Sequence, residues 1–431
     1  TAFVGDFPIP EDKNWTAFNM IFEADGLQKV NVGKCTNLTI GGGTGFNKRK
    51  TLTREAEISG TLTIENNCWL ESGMNNISDS YQLLGNFTIA GGGTFSTTYL
   101  DSPDRIKDPI PQGLNWSSLD VVRYDNNAER LVGGTFSKIF LNGQGNNHFT
   151  TGNIECSELR TVNEDLEIMP GDYIITNELK LEGTSASAGQ LFIFADNTGY
   201  GQLFTPLLTS NKVNPKVTKE LYIDANPSER WVDMSTALTG ANLSNLAEPG
   251  ASIVFDVEGI GSAFEWDASI ANWVQSSASG NDPTHGNRIY LGTRGAGGSD
   301  IFLRDGSGTV SENTTDFQTA STSRAMYYND GQNTTATFVG GTALSDTEGW
   351  NFIANPFLAN YDWDAAFPSL DAEIRKVYYV WNGTNYVNRN AAGVGAAGQY
   401  IAPGQGFWIQ VDATYTSGDL FHLDIANIDP T

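Results

Sequence analysis

The chain has 431 residues, 39% of them hydrophobic and 11% aromatic, enough to build packed cores and to exclude wholesale disorder. Its 50 acidic residues against 25 basic ones leave a net charge of −25, a field that repels nucleic acid and anionic membranes. With 47 glycines, 15 prolines and no apolar run of the ~18 residues a membrane helix needs, the composition predicts strands and turns rather than long helices.

The opening stretch, "TAFVGDFPIP", puts Phe3, Gly5, Phe7 and Ile9 on one strand face. Residues 1–29 read as a strand segment that either completes its own domain or joins a neighbouring copy, which would give a head-to-tail homopolymer. "FHLDIANI", near the other end, repeats the alternation with Phe421, Leu423 and Ile425. The opening shows neither a basic n-region nor an apolar h-region, and the expectation is a mature, exported chain.

Residues 30–205 repeat. "NLTIGGGTGF", "TLTIENNCWL" and "NFTIAGGGTF" begin at Asn37, Thr61 and Asn86, spaced by 24 and 25 residues. The phrase "GGTFS" occurs at 92–96 and again at 133–137. One short strand per period predicts a solenoid, because such a strand buries its face only by stacking on the next. "KIFLNG", "DLEIMPGDYIIT" and "ELKLEG" continue the series, and in the last of these Leu179 and Leu181 alternate with charged residues. The reading is a parallel β-helix, with an antiparallel β-sandwich as the rival. The proline-rich, charged segment 101–125 interrupts it as a loop. Cys35, Cys68 and Cys156 form no metal-ligand pattern. Being three, they close at most one intramolecular disulfide, between Cys35 and Cys68 if those two face each other, and otherwise stay as buried thiols.

From residue 206 tryptophan becomes frequent and a second repeat appears. "RWVDMSTALTGANLSNL" is echoed by "GWNFIANPFLANYDWDAAF", and "FEWDASIANWV" by "YYVWNGTNYV". Each of the latter pair reads as a hairpin. Two β-sandwich lobes are expected, 206–340 and 341–431, so the fold class is all-β: a β-helix followed by sandwich lobes.

"LVGGTFSKIFLNGQGNNHFTTGNIECSELRTVNEDLEIMPGDYIIT" resembles the β-helix segments of large cell-surface proteins of Bacteroidota exported by type IX secretion. "GWNFIANPFLANYDWD", "VYYVWNGTNYV" and "YIAPGQGFWIQV" resemble the Trp-rich β-sandwich module of the same proteins. The resemblance implies an extracellular protein at the surface of a Gram-negative bacterium, with a structural or adhesive role. "NRIYLGTRGAGGSDIFLRDGSG" departs from it, standing where a second Pro-x-Gln-Gly strand is expected.

The three histidines, His148, His285 and His422, lie in no nucleophile-elbow or zinc-protease context, and no local pair of carboxylates suggests glycoside hydrolysis. The chain is read as a non-enzyme without cofactor. Calcium is the candidate ion, with Asp362 and Asp364 two apart on a strand, and Asp305 among glycines, as candidate ligands. Tyr378, Tyr379, Trp381 and Tyr386 either pack a sandwich core or stack on sugars. The expected function is a non-catalytic extracellular structural or adhesive protein, first as the repeating subunit of a cell-surface filament. The alternatives are a monomeric carbohydrate-binding adhesin and, third, a polysaccharide-active β-helix enzyme.

Overall fold

The strand signals of the first half become parallel rows in a computed structural model of the protein. The structure describes residues 14–429 apart from 24–27, 32, 42–48, 53–55, 74–82, 99–107, 109, 126–129, 143–146, 184–188, 206–207, 211–215, 224–229, 236–237, 239–245, 249–250, 253–255, 258–259, 262, 277–284, 292–300, 310–322, 329–347, 417 and 419. The protein is nearly all β. It divides into two compact units, the first Thr1–Phe192 with pieces at 207–215 and 311–315, the second Ile193–Pro206, Lys216–Val310 and Asp316–Thr431. Residues 206–340 and 341–431, expected as separate lobes, both contribute to the second unit.

In the first unit the strands that position its core are β1 (Lys34–Ile40), β2 (Arg49–Leu52), β3 (Thr61–Ile64), β4 (Trp69–Gly73), β5 (Thr88–Gly91), β6 (Thr94–Thr98), β7 (Val121–Tyr124), β8 (Gly134–Asn142), β9 (Ile154–Val162) and β10 (Tyr173–Glu182). β1, β3 and β5 pair in parallel, with Leu38 opposite Leu62 and Leu62 opposite Ile89. The third copy is thus seated two residues later than the "NFTI" alignment suggests. A shift of two keeps the inward face inward, whereas a shift of one would expose it. Asn37 Oδ1 accepts the Thr61 backbone N–H at 2.7 Å, so this asparagine ties its strand to the next.

β2, β4, β6, β7, β8, β9 and β10 form a second parallel row in that order. Leu70, Phe95, Val122, Ile139, Leu159 and Leu179 follow one another across it, and all are buried. Their alternate neighbours point outward. On that outer face Arg123 lies over the rings of Trp69 and Phe140, at 5.2 and 4.4 Å, and Arg160 lies over Phe140 at 5.0 Å. Arg49 covers Trp69 at 5.2 Å, which completes an alternating ladder of guanidinium and ring. Each of these arginines also meets a carboxylate: Arg49 meets Glu71, Arg123 meets Asp125 and Arg160 meets Glu182.

The duplicated "GGTFS" marks tight approaches between strands. A Cβ at Gly93 would lie 2.5 Å from the Glu65 carbonyl oxygen, and one at Gly133 would lie 3.0 Å from the Asn153 nitrogen. Gly91, just before the first copy, adopts φ +100°, and a Cβ there would lie 1.9 Å from the Ile64 oxygen. Cys35, Cys68 and Cys156 are joined by no disulfide, and burial pushes the Cys35 thiol up to about 12.

The second unit holds β11 (Arg230–Met234), β12 (Ala263–Asp267), β13 (Asn272–Gln275), β14 (Asn287–Leu291), β15 (Trp350–Ala354), β16 (Tyr361–Asp362), α1 (Trp363–Ala366), β17 (Val377–Trp381), β18 (Tyr386–Asn390) and β19 (Gly406–Gln410). One antiparallel sheet runs β11-β14-β12-β13 and another runs β15-β19-β17-β18. In chain order both read first, fourth, second, third, so the sequence echo is also a repeat of topology. "NRIYL", the segment that departs from the Pro-x-Gln-Gly pattern, is β14 and holds the place that "GFWIQ", β19, holds in the other sheet. The buried Asn355 fixes the Asn-Pro turn after β15: its Nδ2 donates to the carbonyls of Ala359 and Ile401, and its Oδ1 accepts the Phe357 N–H.

Candidate functional site

In the second unit each hairpin sends its aromatic pair onto the other sheet. In the β12–β13 hairpin Trp266 stands opposite Trp273, and both rings pack edge-on against Trp408 of β19, at 5.3 and 5.6 Å. Trp266 Nε1 donates to the Trp350 carbonyl at 2.8 Å. In the β17–β18 hairpin Trp381 stands opposite Tyr386, and Arg288 of β14 lies over both rings at 5.7 and 5.4 Å. Asp233 of β11 binds that guanidinium through both its oxygens, and Tyr386 donates to Asp233 at 3.2 Å. Burial pushes the Asp233 carboxyl above its ordinary range, against the pull of Arg288.

Between the hairpins lies an open groove of about 600 Å³. It is lined by Trp266, Trp350, Tyr379, Tyr386 and Trp408, together with Ala271 and Arg375. The rings are fixed rather than loose. Trp408 stacks on Phe352 at 4.7 Å and donates its Nε1 to the Tyr386 hydroxyl at 3.1 Å, and Trp350 meets Tyr379 at 5.2 Å. Arg375 is aimed by its neighbour strand: its Nη1 donates to Gln410 Oε1 at 3.0 Å, and its backbone N–H donates to the Gln410 carbonyl. Gln410 is itself buried and donates to the Glu348 carbonyl at 2.6 Å. A second depression of about 630 Å³ adjoins the groove, sharing Arg375 and Tyr379 and adding Lys376, Asn388 and Asn390. Rigid ring faces beside a few aimed donors suit a flat, hydroxylated ligand with apolar C–H faces.

The residues singled out in the sequence fall in different places. Tyr379 and Tyr386 line the groove. Trp381 packs beside Tyr386 at 5.2 Å, under Arg288. Tyr378 belongs to the core: it is 1% exposed, packs on Trp363 and donates to the Gly398 carbonyl, and burial pushes its hydroxyl up to about 12. The expectation that it faces a ligand is corrected by the pleat, which turns Tyr378 and Tyr379 to opposite sides.

Asp362 and Asp364 do not share a strand face, because the strand stops at Asp362 and a helical turn begins at Trp363. Asp362 caps that turn through the Ala365 N–H and accepts from Gln399. Asp364 is held by Arg389 at 2.8 and 2.5 Å, which keeps its carboxyl below the ordinary range. Asp305 lies in strand Ile301–Thr309, opposite Lys219. Among the described residues no three histidine, cysteine or acidic side chains gather around one point. Phe3, Gly5, Phe7 and Ile9 lie outside the described residues. The histidines are dispersed, His148 beside Glu164 in the first unit and His285 beside Glu265 in the second.

Sequence reasoning missed Arg375 and did not join Trp266, Trp350 and Trp408 into one site. The density of tryptophan was the available signal. No described helix is long and apolar enough to cross a membrane. Compared with known proteins, the chain matches no protein-family model, no curated protein and no solved structure.

Proposed function

We propose that this is a non-catalytic, extracellular adhesive protein whose Trp-rich unit binds saccharide. The groove of fixed rings carries this reading: aromatic faces stack on the C–H faces of sugars, while the remaining N–H groups of Arg375 supply directional contacts. The groove therefore favours the carbohydrate-binding alternative over the filament, whose proposed joint is the segment 1–29 with Phe3, Gly5, Phe7 and Ile9. In the wider reading the first unit is a parallel β-helix that serves as a stalk or scaffold. Its support is the parallel rows in register and the repeat of 24 and 25 residues. Placement at the surface of a Gram-negative bacterium rests on the sequence resemblance.

The test is titration of the full chain with a panel of oligosaccharides, followed by tryptophan fluorescence, beside Trp350→Ala and Trp408→Ala. Binding by the native chain that weakens at least about tenfold in both variants, the size of one lost stacking contact, supports the proposal. A native chain that binds no saccharide sinks it.

A further inference from the structure

Arg375 and Lys376 stand out against the charge of the molecule. In a chain of net charge −25, most basic side chains on the described surface have a carboxylate beside them, as the arginines of the first unit do. Neither Arg375 nor Lys376 has one among the described residues. Arg375 is half-buried and spends one guanidinium nitrogen on the neutral Gln410, and Lys376 rests 4.7 Å over the Phe367 ring. The nearest carboxylates in sequence, Asp371 and Glu373, line a different depression together with Thr414 and His422. A guanidinium at the edge of an open aromatic groove stays hydrated while the groove is empty, and a carboxylate is the partner it pairs with most strongly when a ligand arrives. A guanidinium has five N–H donors in a planar fork, so the bond to Gln410 leaves an edge able to take a carboxylate through two parallel bonds.

We infer that the groove takes a carboxylated oligosaccharide, with a sugar carboxylate on Arg375. This rests on the saccharide reading above and names the class of sugar. The occupant is a chain rather than a single sugar, because the two depressions meet at Arg375 and Tyr379. One sugar lies against Trp350 and Trp408. The next lies beyond Tyr379, where Lys376 and the amides of Asn388 and Asn390 meet its charge and hydroxyls. The negative field of the whole molecule works against anionic ligands in general, so an acidic chain binds here through local, short-range contacts and weakens only mildly with salt.

The experiment is calorimetric titration of the full chain with tetragalacturonate, tetramannuronate and sialyllactose, each beside its methyl ester. The expected result is that at least one acid binds about tenfold or more tighter than its ester, the effect of one charge-assisted pair. Arg375→Gln would weaken the acid more than the ester, so that the ratio of their affinities falls toward one, and Arg375→Lys would restore part of that ratio. If esters and acids bind the native chain alike, the acidic class is wrong and the saccharide reading stands. If no saccharide binds, both fail. If an aspartate-rich peptide displaces the acids at lower concentration than they themselves require, the anion is recognised but the sugar is not, and the inference is overturned. Comparing acid with ester on the native chain needs no variant, so a misfolded substitution cannot obscure the result.

Discussion

Asp233 grips Arg288 through two hydrogen bonds, at 2.8 and 2.9 Å, although 55 residues of chain separate them. The Asp233 side chain is only 2% exposed, and the guanidinium is also covered by the rings of Trp273, Trp381 and Tyr386. One ion pair thus connects β11, β14 and both aromatic hairpins. Arg288→Met would leave a buried carboxylate without its cation and cost about 3 kcal/mol. Adding Asp233→Asn to that variant would recover part of the loss. Denaturant titration of the two variants checks this, and an unchanged midpoint in Arg288→Met would refute it.

Acid sensitivity follows from Asp364. Hydrogen bonds from Arg389 hold its carboxyl below the ordinary range. A folded pKa below the unfolded one contributes stability that is complete above about pH 4 and is lost as pH falls through the folded value. Glu265, lowered by its bond to His285, acts in the same direction. Asp364→Asn is therefore expected to be less stable than the native chain at pH 7, with the gap closing toward pH 2.5. Thermal midpoints at the two pH values measure it, and a gap of constant size would contradict the assignment.

The ladder on the first unit makes a separable prediction. Phe140 is covered on both sides by Arg123 and Arg160. Phe140→Leu keeps an apolar side chain but removes the ring, at a cost of about 1 kcal/mol for two cation–π contacts. Phe140→Ala also removes packing and costs more. If leucine and alanine are equally damaging, the ring face contributes nothing beyond its bulk.

Gly91→Ala tests the close approach between strands. Its φ of +100° and the Ile64 oxygen 1.9 Å from a Cβ both oppose a side chain, so a loss of about 2 kcal/mol or more is expected. Gly113, with φ +73° but open space around it, makes a useful control, since only the backbone term applies. Similar losses at the two sites would show that contact with the neighbouring strand is unimportant.

The sequence made some of this plain and hid the rest. Alternation such as Leu179 and Leu181 between charged residues marked inward faces, because a strand turns side chains with period two. The echo between "FEWDASIANWV" and "YYVWNGTNYV" announced two equivalent hairpins. It did not reveal which of Tyr378 and Tyr379 faces out, since a pleat fixes alternation but not its phase. Nor could local pattern show the groove, which collects residues from 266 to 408. Arg375 carries no motif, and its meaning comes from what surrounds it and from the carboxylate it lacks. The pair Asp362 and Asp364 misled because spacing of two implies a shared face only while the strand continues. There the chain turns into a helix after Asp362.

The crossed seating of the two hairpins also governs how the second unit comes apart. Trp266 and Trp273 are covered by residues near 350 and 408, and Trp381 and Tyr386 by Asp233 and Arg288. Neither sheet can peel away without stripping the cover from the other's rings, so the two melt together in one cooperative step. A fragment cut between the duplicated halves would carry naked indoles and clump, whereas the two fragments expressed together could find each other again.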